Sequence, residues 1–311
     1  MLNPQRLRVF HEVASRGSLA AAARALTFSQ SAVSQQMGAL ERELDTRLLE
    51  RTSGGVRLTD AGRALFRHSQ TILGQLREAE LELQNIVAGG AGEVRIGAFP
   101  TAAATLVASA IAELHQVKPA VRVVLREADP DELLPHLAAG ALDLAFDFDY
   151  DLISFDRGQE FHRLPFCEEP LLVAMPTAHP LAGRRQLQLF DLRHEPWIGG
   201  TAYACNEILR KVCSSAGFQP SIAFETNDYA TVQGLIAAGV GVALVPALAL
   251  EHFRPELVAR KLRDVTARRR TAIVRRASGF HSIAAQHFIE ALARAARHSS
   301  VHGITLVYEP Q

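Results

Sequence analysis

Four uncharged polar residues, Gln30, Ser31, Ser34 and Gln35, recur at intervals that place them on one face of a helix. Such side chains are middling helix formers and add little to a core, so that face meets either plain water or a polar partner. A Gln amide can pair bidentately with an adenine edge, and a Ser hydroxyl can reach a base or a phosphate. The chemistry on offer is recognition by hydrogen bonds. Further on, Arg51 and Arg57 flank Ser53-Gly54-Gly55, and their guanidinium groups suit phosphate or minor-groove contacts.

A second set sits where extended runs give way to helical ones. Pro100, Thr101 and Ala102 follow the run VRIGAF, while Asp129-Pro130, Thr201 and Thr226-Asn227 head later helices. N–H groups and hydroxyls at helix starts can hold a small ligand. The same residue types also serve as plain helix caps. A carboxylate at Asp129 disfavours an anionic ligand and suits a hydroxylated or cationic one. Phe148, which ends LDLAFDF, either lines a ligand pocket or packs in the core.

Other chemistries lack their residues. There is no GxSxG, Walker loop or GxGxxG, and the twelve His include no HExxH pair, so neither catalysis, a metal nor a cofactor is expected. Three Cys without a CxxC read as reduced thiols. Formal charge is zero, and residues 1–90 hold 11 Arg against 9 acids, so any nucleic-acid surface is local. Residues 260–276 hold eight basic side chains against Asp264: either a solvated face or a second surface for DNA or an acidic partner. No apolar leader or membrane-length run interrupts the pattern, which predicts a cytoplasmic protein with no membrane contact.

The elements that must position these groups follow from periodicity. Helices are predicted over residues 4–15, with Gly17 as its end, over LAAAARAL with Ser18 as cap, and over about 30–44 with Ser29 as cap. In the third, Ala32, Val33, Met37, Leu40 and Leu44 form the apolar stripe, leaving Gln30, Ser31, Ser34, Gln35, Gly38 and Arg42 opposite. RLLERTSGGVRLT reads as a hairpin, which completes a winged helix-turn-helix over residues 1–59, its helix-turn-helix at about 20–39. From Asp60 to about Val87, Leu65, Ile72, Leu76, Ala79, Leu83 and Ile86 fall mostly at heptad spacing, predicting a helix roughly 40 Å long that pairs subunits. With the hinge AGGAG it makes a linker over 60–92. Beyond it, strands VRIGAF, VRVVLRE, LDLAFDF, FHRLPF and PLLVAM alternate with helices, which indicates an α/β fold with a mainly parallel sheet. The tail 298–311 has no assignment.

SLAAAARALTFSQSAVSQQMGALERELDTRLLERTSGGVRLTDAG, residues 18–62, resembles the DNA-binding region of LysR-type transcriptional regulators. That family's pattern runs A-A-x-x-L, x-S-Q-x-A-V-S-x-Q-I-x-x-L-E-x-x-L-G-x-x-L-F-x-R, x-x-x-L-T-x-A-G. Ser31 stands where the family usually has Pro, and Asp45 where it usually has Gly. VRIGAFPTAAA, ADPDELLPHLAAGALDLAF, AHPLAGRRQLQLFDLRHEPWI and LIAAGVGVALVP resemble the family's effector-binding domain.

The resemblance implies a two-lobed fold similar to periplasmic binding proteins (type 2), with lobe I over 93–165 plus 266–297 and lobe II over 166–265. It implies base contacts at Gln30, Ser31, Ser34 and Gln35, and phosphate or minor-groove contacts at Arg51 and Arg57. In the cleft where strands end and helices begin, it implies an effector site including Thr101 with Pro100 and Ala102 beside it, and Asp129, Pro130, Thr201, Thr226 and Asn227. It also implies promoter DNA, a small-molecule effector, RNA polymerase and a homotetramer built as a dimer of dimers. Peroxide-sensing members carry a cysteine pair in this region, and Cys213-Ser-Ser-Ala-Gly is similar to half of it. The spacing from Cys205 departs by one, however, and Ala204 replaces the usual His. The rival reading is a small-molecule-binding or catalytic α/β protein whose N-terminal helices only oligomerise.

Overall fold

Short polar residues open the first three helices. Asn3 caps α1 (Pro4–Arg16), Ser18 caps α2 (Leu19–Leu26) and Ser29 caps α3 (Gln30–Glu43), each side-chain oxygen accepting from N–H groups of the first turn. Gly17 at φ 61° ends α1 in the left-handed region. The computed structural model describes residues 2–52, 55–87, 92–153, 155–277, 282–298 and 304–308. Leu7, Phe10 and Val13 of α1 are buried with Val33, Met37 and Leu40 of α3, each such side chain contributing about 1.5–3 kcal/mol. β1 (Leu49–Thr52) and β2 (Gly55–Leu58) pair antiparallel as the expected wing.

α4 (Asp60–Val87) is 28 residues long, and its apolar seam divides in two. Leu65 and Ile72 pack on the core of the N-terminal domain. Leu76 and Leu83 instead stay 40% and 64% exposed. The side chain of Ile86 and residues 88–91 of the expected hinge lie outside the described residues.

The remainder opens with β3 (Glu93–Ala98). A helix follows in three parts: α5 (Pro100–Ala102), a π-helical turn (Ala103–Val107) and α6 (Ala108–Val117). It starts at Pro100, two residues before the expected Ala102, because Pro is tolerated in a first turn. Then come β4 (Arg122–Glu127), α7 (Pro130–Ala138) and β5 (Leu144–Tyr150). FHRLPF and PLLVAM, read from the sequence as two strands, form a single strand β6 (Phe161–Pro176). A register shift opposite Thr271 and Ala272 accommodates Pro165.

β7 (Gln186–Leu187), β8 (Pro196–Gly199), α8 (Tyr203–Ser215), β9 (Ser221–Glu225), α9 (Tyr229–Ala237), β10 (Val242–Pro246), β11 (Leu257–Leu262), β12 (Arg268–Arg276), α10 (Ile283–His298) and β13 (Thr305–Leu306) complete the chain. The sheet order is β4-β3-β5-β12-β6-β10-β8-β9. β3 runs parallel to β4 and β5, and β8 parallel to β9 and β10. β12 lies antiparallel to β5 and β6, and β6 antiparallel to β10. The sheet is therefore mixed rather than mainly parallel, because β6 takes the chain into the second lobe and β12 follows its return. β6 pairs with β12 up to Pro170 and with β10 from Leu171, so the partners change inside the segment first assigned to lobe II. The unassigned tail supplies β13, which pairs with β6 at Cys167 and Glu168.

Candidate functional site

Two concave surfaces gather the polar residues. The first is an open groove of about 580 Å³ between the starts of α2 and α3 and the wing, bordered by Ser18, Leu19, Gln30, Ser31, Ser34 and Val56. Gln30, Ser31 and Gln35 are exposed and Ser34 is half-buried, while Val33, Met37 and Leu40 turn inward. Gln35 is exposed on α3 outside the groove's lining. The Ser31 hydroxyl lies 3.0 Å from that of the cap Ser29, an interaction that a Pro at this position lacks.

The wing is held to this groove by specific bonds. Val56 N–H donates to Gly17 O at 2.9 Å, and Glu41 Oε1 accepts from the N–H groups of Leu48 and Leu49 at 2.8 and 3.2 Å. Thr59 donates to Arg47 O and accepts from Gly62 N–H, so it caps α4 while anchoring the strand before it. Gly62 must lack a side chain, since a Cβ there would stand 2.1 Å from Leu48 O. Arg57 is exposed and paired with Glu50 at 2.8 Å; the side chain of Arg51 lies outside the described residues.

The second surface is a cavity of about 50 Å³ between the lobes. Of the residues expected there, Pro100, Thr101, Asp129, Thr226 and Asn227 line it, as does Phe148. Ala102 and Pro130 are buried beside it, and Thr201 is exposed; these three are not part of its wall. Asp129 occupies the cap position of α7 without capping it. Its carboxylate accepts from Asn227 Nδ2 at 3.1 Å instead, and burial, followed by nearby Asp131, raises its pKa.

Sequence reasoning missed one charged group in the wall of this cavity. Arg269 is fully buried, with Nε 2.8 Å from Glu169 Oε1 and Nη2 2.8 Å from Thr101 Oγ1. Its guanidinium carbon lies 4.7 Å from the Phe99 ring centre and 5.4 Å from that of Phe148. Glu169 Oε2 accepts from Leu248 N–H at 2.6 Å. Strand alternation offered a signal: Arg269, Thr271 and Ile273 share a face, and a buried Arg needs a carboxylate, which Glu169 supplies.

The basic run around it is mostly engaged. Arg268 pairs with Glu168, Arg270 with Asp151, Arg260 donates to Ala182 O, and Arg276 donates to Leu137 O. Cys205 lines the cavity with its Sγ 3.8 Å from the Tyr150 hydroxyl, whereas Cys213 is buried further along α8. Among the described residues no cluster of His, Cys, Asp and Glu could hold a metal ion, and no helix is long and apolar enough to cross a membrane.

Comparison with known proteins agrees with this architecture. Residues 4–63 match the bacterial regulatory helix-turn-helix protein, lysR family, and residues 88–297 match the LysR substrate binding domain. The HTH-type transcriptional regulator AlsR of Bacillus subtilis is 28% identical over 289 residues, covering 91% of this chain and 93% of AlsR. The DNA-binding transcriptional dual regulator OxyR of Escherichia coli is 31% identical over 227 residues, 73% of each chain. A full-length OxyR of Pseudomonas aeruginosa shares the fold with a TM-score of 0.71, at 24% identity over 100% of this chain and 99% of that one. The chain belongs to the LysR family of DNA-binding transcriptional regulators, with an N-terminal helix-turn-helix domain and a C-terminal effector-binding domain.

Proposed function

We propose that this regulator reads double-stranded promoter DNA through Gln30, Ser31, Ser34 and Gln35, and that a small molecule held between its lobes sets its output. The polar edge of α3 faces an open groove beside the wing, and an α-helix presenting such side chains can read base edges in the major groove. Arg51 and Arg57 serve the phosphates or the minor groove. Because Glu50 holds Arg57, a phosphate contact exchanges a carboxylate partner for a phosphate.

The observation that carries the switching half is the bond from Asn227 to Asp129 across the cavity. A ligand seated there meets both lobes and binds one lobe angle better than another. It shifts the equilibrium by no more than that differential affinity. The exposed outer part of α4 fits a subunit interface, and the assembly is a dimer of dimers acting on RNA polymerase in the cytoplasm. Changes of lobe angle then alter the spacing of the paired heads and the bend of the DNA.

A footprint on the DNA upstream of the chain's own gene tests both halves. Gln30→Ala and Ser34→Ala are expected to weaken or relax sequence preference, and Asn227→Ala to change the footprint's extent. Unchanged affinity and preference in both head variants would remove the base-reading role.

A further inference from the structure

We propose that the cavity between the lobes selects a short uncharged molecule with an acceptor oxygen, of the amide or hydroxy-carbonyl type, over a carboxylate of the same shape. This rests on the cavity being the effector site.

A fully buried Arg looks like an anchor for an anion, but the charge of Arg269 is already spent. Nε and Nη2 lie 2.8 and 2.7 Å from Glu169 Oε1, and Nη2 also donates to Thr101. Arg269 and Glu169 together are neutral, and the guanidinium face lies against Phe99 and Phe148 rather than water. One donor group is left over: among the described residues, Nη1 has no protein acceptor, although the side chain is only 2% exposed and lines the cavity. That nitrogen requires an acceptor but offers no net charge.

The neighbours point the same way. Tyr229 lines the cavity, its hydroxyl has no protein partner among the described residues, and burial raises its pKa, so it remains a protonated donor. Asp129 is bonded to an amide and not to a cation, so an entering carboxylate meets an unbalanced like charge away from bulk water. A purely cationic ligand has the opposite fault, since it brings no acceptor to Nη1. The volume of about 50 Å³ holds about four water-sized groups, and Phe148 and Leu171 give it an apolar wall.

Propanamide, propionate and propionamidinium are planar, nearly equal in size, and differ in charge and acceptor capacity. Thermal shift and calorimetry on the full-length protein at millimolar concentrations are expected to show binding of propanamide, with propionate at least about tenfold weaker. Tyr229→Phe should weaken propanamide while leaving the fold intact. Glu169→Gln, which leaves Arg269 unbalanced, should gain propionate binding.

Propionate binding as well as propanamide to the unmodified protein would overturn the proposal, as would a preference for propionamidinium or binding of none of them. If none binds while Asn227→Ala still alters the footprint, the ligand class is wrong and the switch reading stands. If propanamide binds while neither it nor Asn227→Ala alters the footprint, the class stands and the switch reading fails.

Discussion

Asn227 Nδ2 donates to the Asp129 carboxylate at 3.1 Å, and Asn227 Oδ1 accepts from the N–H groups of Thr201 and Ala202 at 2.8 and 3.2 Å. One amide thus ties the start of α7 in the first lobe to the starts of α8 and α9 in the second. Because burial raises the Asp129 pKa, the stability it contributes is fully present below the ordinary carboxylate value and is lost as pH rises through the folded-state value. Asp129→Asn is expected to remove that part of the pH dependence. Asn227→Ala should lower unfolding stability by about 1–2 kcal/mol and widen the lobes in small-angle scattering. Unchanged dimensions in Asn227→Ala would show that the bond does not hold the lobes together.

His11 on α1 stacks on Phe66 of α4, with ring centres 5.0 Å apart, and its Nδ1 lies 3.2 Å from the buried Ser69 hydroxyl. Burial lowers its pKa, with Glu12 opposing in part. The unfolded chain therefore binds this proton more readily. Stability is present above the ordinary His value and is lost as pH falls through the lowered folded-state value. The melting temperature should drop from about pH 7.5 to about pH 5.5, and His11→Phe should shrink that drop. An equal drop in both proteins would place the titration elsewhere.

Asp45 adopts φ 48° just past α3, at the position where the family pattern usually carries Gly. A side chain in this left-handed region is strained, although Asp tolerates it better than most residues. Asp45→Gly is expected to stabilise the N-terminal domain by about 0.5–1 kcal/mol without changing DNA preference, and Asp45→Val to destabilise it by more. Denaturation of the three proteins side by side checks the order. A less stable Asp45→Gly protein would mean that the carboxylate makes a bond worth more than the strain.

Cys205 and Cys213 sit on the unbroken helix α8, about 12 Å apart along its axis, which is beyond disulfide reach. Burial pushes the Cys213 thiol up to about 12 and raises that of Cys205 as well. Both are thiols at neutral pH, and the thiolate is the nucleophile. Stoichiometric hydrogen peroxide is expected to leave all three cysteines titratable with a thiol reagent. Rapid loss of two thiols together with helix signal would instead make this pair a redox switch.

Local chemistry in the N-terminal domain was legible because caps, stripe and turns repeat within a few residues. The same pattern letters hide structural duties visible only in three dimensions: Glu41 holds the start of the wing, and Thr59 and Gly62 let α4 approach Leu48. In the effector domain the helix starts at Thr101 and Asp129 were legible as cleft residues. Arg269 and Glu169 were not, because they lie 100 residues apart and meet only where β6 and β12 pair. A single strand through Pro165 was equally hidden, since Pro ordinarily interrupts a ladder and its accommodation depends on the partner strand.

Gly74 is buried in α4 although Gln75 and Leu76 beside it are exposed, because it abuts Ala139 and Gly140 at the end of α7. A Cβ on Gly140 would stand 2.8 Å from Gly74 Cα, and Gly140 itself adopts φ 68°. α7 therefore reaches from Asp129 at the cavity to the helix that leads to the DNA-binding head. Gly74→Ala places its Cβ 3.4 Å from Ala139 O, an ordinary contact, and should be tolerated with a gain of up to about 1 kcal/mol in helix propensity. Gly74→Leu is too large for the gap and should push α4 off α7 while leaving the head folded. Its DNA affinity is then retained, but adding Asn227→Ala no longer changes the footprint. If Asn227→Ala changes the footprint equally with Leu or Gly at position 74, the signal does not pass through this contact.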